Sequence, residues 1–115
     1  MLRNLVLLCL LASASAADLP LHFEDEDKQQ HAAAGVAIYT LSYALCSLPD
    51  PQTGKPVMSR AARRWTSLGL VIAAGLLKEA LDSRDPDNHT ADWQDAAATT
   101  LGGAVPFALC WSFDF

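Results

Sequence analysis

Charged residues are scarce in this chain of 115 residues: Asp, Glu, Lys and Arg make up 18% of it, whereas soluble domains average about 25%. Only 8 residues are Lys or Arg against 13 Asp or Glu, which gives a net charge of −5. The broad basic surface that nucleic acid requires is therefore missing, and we expect no nucleic-acid partner. A glycine-rich phosphate loop, a nucleophile elbow and a CxxC pair are also missing, so these motifs indicate no reaction.

Apolar residues, in contrast, are abundant. They make up 51% of the chain, and the mean hydropathy is +0.16. Disordered chains lack apolar surface, so this composition excludes disorder. The length is sufficient for one small domain and too short for two.

The first 16 residues have the pattern of a signal peptide. Arg3 supplies a positive charge, residues 5–12 form a short apolar core, and small residues follow at 13–16. This order predicts export, with cleavage before Ala17. Cys9 lies in the apolar core without the small neighbours that a lipid-modified cysteine needs, so we expect it to be lost with the signal. Residues 17–26 then form an acidic lead.

Three helical segments follow and predict an all-α domain. Asp27 suits the first turn of a helix, because unpaired N–H groups there favour negative charge. Pro49 and Pro51 end the first segment, Ser59 is a candidate N-cap of the second, and Pro106 predicts a bend in the third. We expect a three-helix hairpin or bundle over residues 27–115, with helices at about 27–48, 59–81 and 92–113.

The uncharged stretches of these helices favour a membrane-embedded hairpin. Residues 31–48 and 96–113 contain no Asp, Glu, Lys or Arg over 18 residues each, close to the roughly 20 that span hydrocarbon. The first connection is basic and the second is acidic, which fits the positive-inside rule and makes membrane lipid the expected partner. Residues 65–77 are short for a span, so a compact exported bundle stays the alternative.

The two remaining cysteines offer a separate expectation about this topology. In the membrane arrangement Cys46 and Cys110 are reduced thiols that fill space as small apolar groups. In the soluble exported arrangement a disulfide between them becomes possible. Small residues at fourfold spacing, such as Gly69 with Ala73 and Ala98 with Gly102, predict close helix contacts.

One group of charged residues is a candidate site. Asp27 and His31 are four residues apart and share a helix face, as do Lys78 and Asp82. The first helix starts, the second ends and the third starts at the outer end of the hairpin. The residues expected to converge there are Asp27, His31, Glu79, Asp82 and Asp95.

Carboxylates beside an imidazole are typical ligands of a divalent cation, and a carboxylate beside His31 equally orients a general base. The alternative is an ion-pair network in which Lys78 pairs with Asp82 and Lys28 with an acid. The metal-ligand candidates are His31, Glu79, Asp82 and Asp95. The catalytic candidates are His31, Asp27, Lys78 and Glu79.

The order Asp27-Lys28-x-x-His31, Lys78-Glu79-x-x-Asp82-Ser83-Arg84, then Asp92 and Asp95 resembles the YfiM-like family. Its members are small bacterial proteins described as periplasmic lipoproteins of unknown function. The DKxxH element alone also resembles VanZ-like membrane proteins. The resemblance covers about residues 27–103 and implies a bacterial envelope location without an activity. The chain departs from the family in its lipidation site, because Cys9 has the wrong neighbours.

Together these observations predict a small cell-envelope protein with a periplasm-facing Asp/Lys/His/Glu cluster in a binding or structural role, and with an envelope protein as a possible partner. The alternative function is a metal-assisted hydrolase of a lipid-linked or phosphorylated envelope substrate. The two differ in whether His31 and at least two of the carboxylates Glu79, Asp82 and Asp95 point into one cavity.

Overall fold

A computed structural model describes residues 26–88 and 91–115. The predicted signal peptide and acidic lead lie outside this range, apart from Glu26. The described residues form three α-helices and no strand, which confirms the all-α prediction. The predicted helix bounds differ from the observed ones by one or two residues. The helices are α1, Glu26–Cys46, α2, Arg60–Asp82, and α3, Trp93–Ser112.

The beginnings of α2 and α3 follow from their capping residues. The Ser59 hydroxyl accepts a hydrogen bond from the backbone N–H of Ala62, as expected for the predicted N-cap. The Asp92 carboxylate does the same for the N–H of Gln94. Helix α3 continues through Pro106, which is buried inside it.

The close approach of α1 and α3 depends on glycines. A methyl group at Gly35 would overlap the carbonyl oxygen of Thr99, and one at Gly102 would overlap the carbonyl oxygen of Ala32. The predicted small face of Ala98 and Gly102 therefore lies in a helix contact. The prediction for Gly69 is wrong, because this residue is exposed and nothing would touch its added methyl group within 4 Å.

The interior is small, and much of it is polar. Its apolar centre consists of Tyr39, Tyr43, Val71 and Cys110. Cys46 and Cys110 are free thiols, of which Cys110 is buried and Cys46 half-buried, so the disulfide considered for the soluble arrangement is not formed. Nine polar or charged residues are also buried, which is unusual because such side chains are mostly exposed in globular proteins. They are His31, Thr40, Ser47, Arg63, Arg64, Ser67, Asp82, Asp95 and Thr99.

Helix α2 has its polar side inward and its apolar side outward. Arg63, Ser67, Val71 and Gly75 recur at steps of four and are buried on one face, whereas the remaining surface carries the leucines. Large apolar side chains are likewise exposed along α1 and α3. Those with an exposed fraction of at least 55% are Leu41, Leu45, Leu48, Val57, Trp65, Leu76, Leu77, Leu81, Trp93 and Phe113.

The expectation that the helices span a membrane is not supported. Over residues 26–88 and 91–115, no helix combines the length and the hydropathy that crossing a bilayer requires. The physical reason is the polar content of each helix: α1 carries hydroxyl side chains in its interior face, and the uncharged part of α2 is short. The helical bundle is confirmed, and its placement in lipid is not.

Candidate functional site

Asp27, His31 and Asp95 come together where α1 and α3 begin. The Nε2 atom of His31 lies 3.5 Å from Oδ1 of Asp27 and 3.4 Å from Oδ2 of Asp95. One ligand atom from each of the three residues lies within 4.8 Å of the others. The sequence predicted that these residues converge, and the structure agrees. We call these three residues the His31 triad.

The His31 triad is largely enclosed but open at one side. The side chains of His31 and Asp95 are 10% and 5% exposed, whereas that of Asp27 is 55% exposed. Asp95 lies in the first turn of α3, where the helix dipole stabilises a carboxylate. A ligand could therefore reach the triad from the side of Asp27.

Lys28 neutralises part of this negative charge. Its ammonium group donates hydrogen bonds to the carboxylates of Asp92, at 2.7 Å, and Asp95. These hydrogen bonds, chiefly the one that Lys28 donates to Asp92, raise the pKa of Lys28 well above its usual value, and the same hydrogen bond lowers the pKa of Asp92. One lysine thus joins the start of α1 to the start of α3.

The predicted ligands Glu79 and Asp82 lie outside the His31 triad, so the larger predicted group is only partly assembled. The Glu79 carboxylate accepts a hydrogen bond from the backbone N–H of Asp92 at 2.6 Å, and Glu79 therefore holds the residue that caps α3. Lys78 donates to Asp82 at 2.6 Å, which raises the pKa of Lys78. The predicted pairs of Lys78 with Asp82 and of Lys28 with an acid are both present.

Several polar residues at the opposite end escaped the sequence analysis as site candidates. Arg63 donates to the Ser47 hydroxyl at 3.1 Å, and its guanidinium carbon lies 5.6 Å from the centre of the Tyr43 ring. Arg64 donates to Asp114 at 2.7 Å and to the Phe115 carbonyl oxygen at 2.9 Å. The signal in the sequence is the run of arginines at positions 60–64, which lies in the connection that the positive-inside rule reads as basic.

An open groove also lies at this opposite end, remote from the His31 triad. Leu45, at its wall, is fourteen residues beyond His31 along α1, a distance of about 21 Å at 1.5 Å per residue. The groove is lined by Leu45, Cys46, Leu48, Pro49, Asp50, Pro51, Gln52, Val57 and Met58.

The His31 triad permits two kinds of chemistry. Two carboxylate oxygens and one imidazole nitrogen can bind a divalent cation such as Zn²⁺ or Mn²⁺. Without a cation, the two carboxylates can orient the imidazole as a general base. Neither use requires Glu79 or Asp82.

Comparison with known proteins identifies no relative: no protein-family model, no curated protein and no solved structure matches the chain. The likeness to the YfiM-like family therefore stays a prediction that rests on its motifs alone.

Proposed function

We propose that this chain is a small protein of the bacterial cell envelope that binds a divalent cation at the His31 triad. The observation that carries the proposal is the mutual approach of Asp27, His31 and Asp95 within 4.8 Å. The envelope location is supported by the signal-like residues 1–16 and by the resemblance of the motifs.

Three protein ligands suit a cation site with additional water ligands. His31 supplies nitrogen and the two carboxylates supply oxygen, a mixture that borderline divalent ions accept. Lys28 contacts Asp95 through Oδ1, whereas His31 faces Oδ2. The cation would therefore use the Oδ2 side of Asp95, and Lys28 would balance the remaining charge.

Metal titration of the purified protein tests this site. We expect one Zn²⁺ or Mn²⁺ per chain in the parent protein and a loss of at least tenfold in affinity for His31→Ala, because one of three protein ligands is removed. Asp87→Asn is the matched control. Asp87 lies in the exposed acidic turn between α2 and α3, and its replacement removes one negative charge near the site without removing a triad ligand.

Two results would contradict the cation site. The first is a parent protein that binds neither ion after exhaustive removal of chelator. The second is an equal loss of affinity in His31→Ala and Asp87→Asn. This result would mean that the cation is attracted by the negative charge of this end as a whole and is not coordinated by the His31 triad. Circular dichroism of each variant checks that the helices are retained.

A metal-assisted hydrolase is a second candidate function, because three protein ligands leave coordination positions open for water, as in catalytic zinc sites. Of Glu79, Asp82 and Asp95, only Asp95 joins His31 in the triad, so the criterion of two such carboxylates beside His31 is not met and cation binding without hydrolysis is the better supported function. If the protein is a hydrolase, the metal-loaded parent protein will hydrolyse p-nitrophenyl phosphate, and His31→Ala will not. A loaded parent protein without turnover would leave cation binding as the function.

The proposed location includes contact with lipid along the apolar outer surface. The exposed leucines of α1 and α2 support it, since large exposed apolar patches are typical of membrane or protein interfaces. The bundle would lie in lipid as a unit, with its polar residues between the helices and its charged residues at the two ends.

A further inference from the structure

Three arginines occupy the first turns of α2, at the end of the molecule opposite the His31 triad. Arg60, Arg63 and Arg64 lie within five residues of the helix start, and the first turn contains no acid. The N-terminus of a helix already carries positive partial charge, so cations are disfavoured there and anions are favoured. The electrostatic potential at this end is therefore positive and favours the binding of an anion.

The anion in this structure is the side chain of Asp114. Its carboxylate bridges two guanidinium groups, with Oδ2 2.6 Å from Nη1 of Arg60 and Oδ1 2.7 Å from Nη2 of Arg64. Asp114 has a φ of 51°, in the left-handed region that a non-glycine residue rarely adopts. The side chains of Asp114 and Arg60 are 71% and 57% exposed, so solvent and other anions have access to Arg60, while the Asp114 carboxylate covers the hydrogen-bonding edge of Arg64.

Arg63 and Arg64 are held in place by contacts other than Asp114. Arg64 stacks on Trp111, with its guanidinium carbon 4.4 Å from the ring centre, and its side chain is only 4% exposed. The Nε atoms of Arg63 and Arg64 are buried and have no hydrogen-bond acceptor among the described residues. The donors at this end thus exceed the acceptors that the described chain supplies.

Exposed aromatic side chains surround the same end. Trp65 is 59% exposed, Trp111 47% and Phe113 62%, and Trp65 follows Arg64 directly in the sequence. Tryptophan beside basic residues is typical of the level at which phospholipid headgroups lie. If the phosphate bound here belongs to a phospholipid, the acyl chains of that lipid would lie against the exposed apolar side chains of the bundle.

We propose that Arg60 and Arg64 form a binding site for a phosphate group, that Asp114 occupies this site in the structure, and that the headgroup of an anionic phospholipid displaces Asp114 when the bundle contacts lipid. That the phosphate belongs to a lipid depends on the proposed contact of the bundle with lipid. The phosphate site itself rests only on the arginines and Asp114.

The experiment uses the full chain in zwitterionic detergent micelles, titrated with a short-chain phosphatidylglycerol, and follows the NMR signals of the arginine Nε–H groups. We expect the signals of Arg60 and Arg64 to shift in the parent protein. Asp114→Asn removes the competing charge and should bind about fivefold more tightly, whereas Arg60→Gln should bind about fivefold more weakly. Arg60 is chosen because its side chain is 57% exposed, so its replacement spares the interior.

Arg84→Gln is the matched control, because Arg84 is an exposed cation at the His31 end, and we expect its affinity to equal that of the parent protein. Equal weakening in Arg84→Gln and Arg60→Gln would overturn the site in favour of general electrostatic attraction. Unchanged binding by Asp114→Asn would overturn the role of Asp114.

A parallel titration with inorganic phosphate separates the two sources of the phosphate group. Tighter binding of the lipid than of inorganic phosphate supports the headgroup. Equal binding of both, or binding of inorganic phosphate alone, overturns the lipid source and leaves a site for a soluble phosphate. A phosphate response in a protein that membranes fail to retain would contradict the lipid contact but support the site.

Discussion

At the scale of the residue, Lys28 is the side chain that joins the helix starts. Its hydrogen bonds reach Asp92, which caps α3, and Asp95, which belongs to the His31 triad. The spacing of Asp27 and His31 was enough to predict their contact, because residues four apart share a helix face. The choice of partner for Lys28 was not predictable, since several acids compete for one flexible side chain.

The acid sensitivity of the protein should depend on Lys28. The hydrogen bond from Lys28 lowers the pKa of Asp92 in the folded state, so ionised Asp92 stabilises the fold above the ordinary aspartate pKa. This stabilisation is lost as the pH falls below about 5, when the carboxylate takes up a proton. We expect the parent protein to lose more thermal stability between pH 7 and pH 3 than Lys28→Met does.

Thermal unfolding followed by circular dichroism at several pH values measures this difference. Lys55→Met serves as the control, because Lys55 is an exposed lysine in the loop between α1 and α2 and should leave the pH dependence as it is in the parent protein. Parallel curves for the parent protein and Lys28→Met would contradict the role of Lys28.

At the scale of the element, each helix is recognisable from the sequence, but its rotation about its own axis is not. The prolines, Ser59 and the acidic turns marked the helix ends to within two residues. The face of α2 was ambiguous, because it carries both a leucine-rich side and a side with Arg63, Ser67 and Gly75. Burial of the second side turns Glu79 towards the start of α3, and this removed Glu79 from the predicted cation ligands.

The contact between α1 and α3 should tolerate no added methyl group. Gly102→Ala would force the methyl group against the Ala32 backbone, and we expect it to destabilise the fold by about 2–3 kcal/mol. Gly69→Ala on exposed α2 has open space and should stabilise by up to about 1 kcal/mol, because alanine favours the helix. Denaturant unfolding of both variants measures the difference. Equal free energies of unfolding for Gly102→Ala and Gly69→Ala would contradict a close contact of α1 with α3 at Gly102.

At the scale of the whole molecule, many polar residues are buried beside the small apolar centre, and many large apolar residues are exposed. Arginine, aspartate and histidine lie between the helices, while leucine and tryptophan face outward. Without water outside, helices associate through small residues and polar contacts, and both occur here. The acids of one end and the arginines of the other give the molecule two chemically different ends.

Retention by membranes tests the outward apolar surface. We expect the protein to stay with the membrane fraction after carbonate extraction, and the double variant Leu76→Gln with Leu77→Gln to be released to a larger extent, because both leucines are 60% exposed. Exposed Thr66→Gln and Ala80→Gln together form the matched control and should be retained. Release of the parent protein into the soluble fraction would contradict lipid contact.

The sequence by itself determined the number of helices, their ends, the contact of Asp27 with His31 and the separation of basic from acidic connections, because all of these depend on neighbours along the chain. Only the tertiary structure decided that, of the acids predicted to converge on His31, Asp95 does so whereas Glu79 binds the backbone of Asp92, and that Asp114 lies between Arg60 and Arg64. These contacts join residues far apart in sequence, and they depend on how each helix is rotated when Gly35 and Gly102 bring α1 and α3 together.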